Sequence, residues 1–335
     1  MKVLGLAACF ALILGACAGV ASSASPLTGS PTAPPASPSA SIQATREPSA
    51  KPTLPPGVSG VFELAIRPSG IVATDEVIWA EDHAQSQAIY AIDPKTGATL
   101  TTIEVRRPCD VIAAFDRIWV ADLEGGSLLS IDPTTKAVET VASGLHGPCG
   151  VQAVDGAIWL AVDEGLARVD PKTAKVSIEN LGGATFPGTG MPLWAAYYDS
   201  GDLVRVDTAS GTISQTVKHP AGSTEGPPVA AGHGILWVGG SDRLYRLDPS
   251  TGKVEGDIPT ALPTRLLVTA DAVWLTSYPQ GVVERIDPRT NEVVFRAKLG
   301  GNMNGITQGF GAIWVTDTSV GLLYRLDPGA TGIAP

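Results

Sequence analysis

The chain reads as an all-β protein: a seven-bladed β-propeller of four-stranded antiparallel blades, with an N-terminal strand closing the last blade. Three observations predict this. The seven tryptophans, Trp79, Trp119, Trp159, Trp194, Trp237, Trp274 and Trp314, recur at spacings of 40, 40, 35, 43, 37 and 40 residues, each directly after Ile, Leu or Val. Eleven to fourteen residues later comes an aspartate (Asp93, Asp132, Asp170, Asp207, Asp248, Asp287, Asp327), followed by proline in every copy except Asp207-Thr208. No segment long enough for a capped helix carries the 3.6-residue apolar period. A repeat near 40 residues is the length of one four-stranded blade.

Taken in order, the chain first offers Lys2 and an apolar run from Val3 to Ala16, too short to span a bilayer but suited to a secretory signal. Its end, Leu14-Gly15-Ala16-Cys17, resembles the bacterial lipoprotein processing box; Leu6-Ala7-Ala8-Cys9 also fits, but cutting there would leave too short an apolar segment. Residues 1–16 are thus expected to be a signal peptide and Cys17 the lipidated residue, an ordinary signal with an incidental cysteine being the alternative. Residues 17–57 are Ser, Pro, Ala and Thr with almost no large apolar side chain, so they read as a tether. The implied partner is a membrane, reached through a lipid anchor. The implied address is the outer side of a bacterial cytoplasmic membrane or the periplasm.

Residues 58–335 hold the repeats. In the second copy, Val111–Ala114 reads as the inner strand, Arg117–Ala121 as the next, Ser127–Ile131 as the third and Ala137–Val141 as the outermost. Asp155-Gly156 and His233-Gly234 suit two-residue hairpins between first and second strands. Asp-Pro-x-Thr-Gly, as at Asp93–Gly97 and Asp248–Gly252, suits a turn in which Asp accepts from backbone N–H groups and Gly takes a left-handed site. The tryptophans are expected between neighbouring blades, each N–H needing an internal acceptor. The seventh copy stops at Asp327-Pro328 without a convincing fourth strand, while Val61–Pro68 aligns with Thr101–Pro108, an outermost strand, so the first strand is expected to shut the ring. Blade four is the least regular copy.

The charged fraction is 17% and the formal charge −10, which disfavours nucleic acid as a partner. Loops on one face carry Glu81, Asp82, Asp122, Glu124, Asp163, Glu164, Asp199, Asp202, Asp242 and Asp317, an acidic rim able to attract cations. Ten residues before the tryptophans lie Ser69, Cys109, Cys149, Ala184, Pro227, Thr264 and Asn304, at the mouth of the channel. One residue further on, Asp110 and Arg265 hold matching places in blades two and six. With Asn304 they are the candidate ligand-binding residues: opposite charges across a pore could orient a zwitterion, or each could bond to its own loop. Cys109 and Cys149, at one offset in adjacent blades, are candidates for a disulfide, with Cα atoms expected roughly 7 Å apart, near the upper limit for a bridge.

The pattern of apolar-Trp-apolar followed by L-x-R-I/L-D-P-x-T, best carried by Val282–Val294 and Leu244–Gly256, resembles the YVTN-type surface β-propellers and the wider group that includes streptogramin lyases. The resemblance covers about 270 residues. It implies an exported propeller, commonly non-enzymatic, whose loops and channel mouth bind something. The lyase branch uses a histidine and glutamate cluster with magnesium. Here His233 falls on the opposite face, and His83, His146 and His219 sit in three blades without an obvious glutamate partner, so no catalytic residue is transferred. The leading expectation is a monomeric, non-enzymatic binder of an unknown ligand or protein, with no cofactor and no metal site. The alternative is a lyase or hydrolase assisted by magnesium or calcium, with His146, His219 and Glu225 as its acid and base groups.

Overall fold

Each repeat folds as a separate antiparallel sheet in the computed structural model, which describes residues 54–82, 87–222 and 225–333. Residues 1–53, Cys17 among them, and His83 lie outside the described residues. After β1 (Val58–Glu63), blade one is β2 (Gly70–Ala73), β3 (Ile78–Asp82), β4 (Ala88–Ile92) and β5 (Thr99–Glu104). Blade two is β6 (Pro108–Ala114), β7 (Arg117–Asp122), β8 (Ser127–Ile131) and β9 (Val138–Ser143). Blade three is β10 (Cys149–Val154), β11 (Ala157–Val162), β12 (Gly165–Val169) and β13 (Val176–Asn180). Blade four is β14 (Thr185–Pro187), β15 (Trp194–Tyr197), β16 (Leu203–Val206) and β17 (Ile213–Val217). Blade five is β18 (Val229–Gly232), β19 (Ile235–Gly239), β20 (Arg243–Leu247) and β21 (Val254–Pro259). Blade six is β22 (Arg265–Val268), β23 (Val273–Ser277), β24 (Val282–Asp287) and β25 (Glu292–Lys298). Blade seven draws β26 (Met303–Gly309), β27 (Ala312–Asp317) and β28 (Leu322–Leu326) from the end of the chain, and β29 (Gly332–Ile333) follows.

The ring closes as the sequence predicts. β1 pairs antiparallel with β28, from Val58 opposite Leu326 to Glu63 opposite Leu322, giving the order β1-β28-β27-β26. Arg325 holds the seam by donating to Ser59 Oγ and Ser59 O, both at 3.1 Å. β29 was not expected as a strand; it adds in parallel to β25 and makes blade six five-stranded.

Second and third strands lie between neighbouring sheets, so both faces need apolar side chains. All residues of β3, β4, β8, β11, β23 and β27 are buried, whereas the outer β5, β9 and β13 are mostly exposed or half-exposed. The tryptophans fill the gaps between blades. Trp79 packs with Val111, Ile118 and Val120 of blade two, and Trp119 with Cys149, Val151 and Leu160 of blade three. Trp314 packs with Ile71 and Ile78 of blade one, across the closing seam. A buried indole N–H needs an acceptor, and in four blades the hairpin before it supplies one: Trp119, Trp159, Trp237 and Trp314 donate to the carbonyl five residues earlier, at 2.9–3.2 Å, whereas Trp79 Nε1 is buried without a partner. Truncating one of these rings to alanine costs about 3–5 kcal/mol in a packed core.

The turns follow the expected chemistry. Asp155 and Gly156 have φ of 49° and 73°, and His233 and Gly234 have 56° and 73°. In the Asp-Pro turns, Oδ1 of Asp132 accepts from the N–H groups of Thr134 and Thr135 at 2.8 Å, and Asp170 and Asp248 repeat the pattern. In blade four, Thr189 pairs with Ala230 of blade five and its carbonyl is taken by Ala231 N at 2.7 Å. Trp194, deprived of the usual acceptor five residues back, donates instead to Pro249 O at 2.9 Å.

Candidate functional site

The Asp-Pro turns and first-to-second hairpins occupy one face, so the inner strands begin at the opposite one, beside the loops between second and third strands. Ser69, Arg265 and Asn304 are partly exposed where those strands start, while Glu81 and Asp110 are buried, at 1% and 7% exposure. Cys109 and Cys149 are joined in a disulfide across the starts of β6 and β10, with Cα atoms 5.1 Å apart, closer than the spacing of about 7 Å anticipated.

Asp110, from β6, uses both carboxylate oxygens on backbone. Oδ1 accepts from Val111 N at 3.1 Å and Oδ2 from Val151 N of blade three at 2.9 Å. Burial raises its pKa, against the Arg265 charge and these two N–H groups, which lower it. Asp110 thus bonds across to the next blade as well as to its own strand.

Glu81 belongs with these residues, although sequence reasoning placed it only in the acidic rim. Its counterparts two residues after each tryptophan are Ala121, Ala161, Ala196, Gly239, Thr276 and Thr316. That one charged member in a column of small residues was the signal available. Glu81 lies opposite Gly70, where an added Cβ would come within 2.9 Å of Oε1 and crowd the carboxyl as it now sits. Oε1 accepts from Ser69 Oγ at 2.7 Å, and Oε2 is buried with no hydrogen-bond partner. Burial pushes the carboxyl up to about 8; the Asp110 charge adds to the rise, while Ser69 and the Arg265 guanidinium oppose it. Arg265 of blade six is thus felt by carboxyls of blades one and two. Among the described residues its guanidinium makes no hydrogen bond or ion pair.

The acidic rim is less exposed than its loop positions suggest. Asp82, Asp122 and Asp317, each three residues after a tryptophan, are buried. They accept from loop backbone: Asp122 Oδ1 from Arg107 N and Gly125 N, and Asp317 Oδ1 from Asn302 N and Ser319 N. They fasten the loops that lead into the inner strands.

The histidines do not gather. His219 is buried; its Nδ1 accepts from Ala221 N at 3.2 Å, which leaves Nε2–H to donate to Gly239 O at 2.9 Å. Burial lowers its pKa. His146 is exposed and does have a glutamate partner, which the sequence did not reveal: Nδ1 meets Glu164 Oε1 at 2.9 Å. That hydrogen bond raises the histidine and lowers the glutamate. Glu225 is exposed. Among the described residues no three His, Cys, Asp or Glu side chains are grouped to hold a metal ion.

No protein-family model matches the chain, and no curated protein matches it. Among solved structures, virginiamycin B lyase from Staphylococcus aureus superposes with a TM-score of 0.67 at 19% identity, over 80% of this chain and 98% of that one. A chain from the mitotic checkpoint complex superposes with a TM-score of 0.68 at 12% identity, over 86% and 99%. A lyase and a component of an assembly thus share one scaffold, and function on it lies in the loops. The chain is a seven-bladed β-propeller with the fold of virginiamycin B lyase.

Proposed function

We propose that this chain is an exported, lipid-anchored, monomeric propeller that binds a small charged molecule or a protein at its loop face and channel mouth, without turning it over. Lipidation at Cys17 and a tether over residues 17–57 would hold the propeller outside the cytoplasmic membrane or in the periplasm. One observation carries the binding reading: Arg265, partly exposed and unpaired among the described residues, sits within the electrostatic reach of the buried carboxyls of two other blades. A guanidinium kept without a partner is poised for a ligand. Binding to the folded state raises the melting temperature. A thermal-shift screen of small charged molecules should therefore find at least one that raises Tm of the wild type by several degrees and leaves Arg265→Gln unmoved. Equal shifts in both proteins would remove the mouth from the binding site.

The second reading is a metal-assisted lyase or hydrolase, and the His146–Glu164 pair favours it. A carboxylate on Nδ1 orients an imidazole whose other nitrogen can move a proton. His219, with both ring nitrogens bound to backbone, is a poor partner in that work. Turnover that needs magnesium or calcium and vanishes in His146→Ala would establish this reading over the first.

A further inference from the structure

The hairpin face, opposite the channel mouth, holds a cavity of about 670 Å³ between the first-to-second turns of blades one and two. That is the size of a pocket for a small molecule. Val77 and Ile118 line it from the core, and Asp75, Glu76, Phe115 and Asp116 line it as exposed residues. Phe115 is out of place by stability alone. It opens a two-residue turn at φ of 55°, a left-handed backbone costly for a bulky side chain, and it is 44% exposed. Phe310 holds the equivalent place in blade seven and sets its ring edge-on to Trp314, four residues later, with centroids 6.4 Å apart. Phe115 stands four residues before Trp119 but makes no ring contact with it among the described residues, and lines the cavity instead. The charge there is one-sided. Arg117, the one cation in the lining among the described residues, donates to Ser130 Oγ at 2.7 Å and pairs with Asp132 and Glu139 at 3.6 and 3.5 Å. Lys136, behind Pro133 of the lining, donates to Pro133 O and lies over the Trp79 ring. The carboxylates of Asp75, Glu76 and Asp116 make no hydrogen bond or ion pair among the described residues.

We propose that this cavity binds a small organic ammonium ion, its charge facing Asp75, Glu76 and Asp116 and its carbon body against Phe115 and the apolar lining. Three carboxylates by themselves would be an ordinary solvated surface, and among the described residues they are not grouped to hold a metal ion. The unstacked aromatic beside them is what selects the class, because an ammonium is attracted to an aromatic face as well as to carboxylates. An anion would meet three like charges. The site lies on the face away from Arg265, so it stands or falls separately from binding at the mouth.

The test is an NMR titration of the folded protein with benzylammonium, following the backbone amides of the two hairpins, residues 73–77 and 113–118. Benzyl alcohol and the ammonium ion, at matched ionic strength, each supply half of the ligand. Benzylammonium should shift both hairpins saturably, and it should bind about tenfold more tightly than either half. Its affinity should fall by about tenfold in Phe115→Asn, a residue that suits the left-handed turn and so leaves the fold in place. The double substitution Asp75→Asn with Glu76→Gln should weaken it to a similar degree, and Arg265→Gln should leave it unchanged. Intact amide dispersion in each variant separates lost binding from lost folding. The assignment is overturned if benzylammonium gives no saturable shift in these hairpins. It is equally overturned if benzyl alcohol or the ammonium ion binds as tightly, or if Phe115→Asn or the double variant binds as the wild type does. Loss of binding in Arg265→Gln would move the ammonium to the other face and overturn it as well.

Discussion

Two residues after the tryptophan, six blades carry Ala, Gly or Thr and the first carries Glu81. Its burial has a thermodynamic consequence. The unfolded carboxyl ionises near 4.5 but the folded one only near 8, so between those values the unfolded state loses a proton that the folded state keeps. Stability is drained as pH rises across that window and drained no further above it. Glu81→Gln should therefore stabilise the protein by on the order of a few kcal/mol at neutral pH, with a gain that disappears below about pH 4.5; urea melts at several pH values will measure it. His219 has the opposite dependence. Its folded pKa lies below the ordinary value of 6.5, so stability is full above that value and falls as acid protonates the unfolded chain first. His219→Gln should flatten the loss of Tm between pH 7 and pH 5. Neither dependence was legible in the sequence, because burial of both groups depends on neighbours distant in the chain or on backbone: Gly70 and Ser69 for one, Gly239 O and Ala221 N for the other.

At the scale of elements the sequence was far more legible. Tryptophan and Asp-Pro recur because every blade poses the same two problems, a gap to fill and a turn to make, so the answers repeat. The irregular pieces were not legible. β29 is two residues long and pairs with a blade to which it does not belong in sequence, and no periodicity can announce that. The His146–Glu164 pair was hidden for a similar reason, since it joins a loop before an inner strand to a loop after the next one, 18 residues on. The turns offer a quantitative check. The last position of the five-residue turn that opens on aspartate is Gly97, Gly211 and Gly252 in three blades but Ala174 in blade three, with φ of 55°. Relieving that left-handed alanine, Ala174→Gly should stabilise by about 1 kcal/mol, read in a denaturant melt. Lys136 has the same backbone, at φ of 65°, yet its Nζ sits 4.9 Å from the centre of the Trp79 ring, so Lys136→Gly should give no such gain.

At the scale of the molecule, seven tryptophan-centred clusters join each blade to the next, and two further devices hold the circle. The disulfide ties β6 to β10 across 40 residues of chain, a loop for which chain entropy gives about 4 kcal/mol. The double substitution Cys109→Ala with Cys149→Ala should lose about that much in urea unfolding while keeping its strands by circular dichroism. The other device is the seam. Deleting residues 58–67 removes β1 from the edge of β28 and should replace one cooperative transition with a broad, early melt, seen by calorimetry.

The seam also sets an order of events during synthesis. Ser59 and Arg325, which clasp across it, stand 266 residues apart. At the usual pace of about 5–20 residues per second, β1 leaves the ribosome roughly 15–50 s before its partner strand exists. Six blades can be assembled while their first strand still waits, with one flank of blade one uncovered until Trp314 arrives. A circular permutant that begins at blade one and carries β1 after β28 would convert the longest wait in the chain into a hairpin, and nascent chains of it should spend less time open to aggregation.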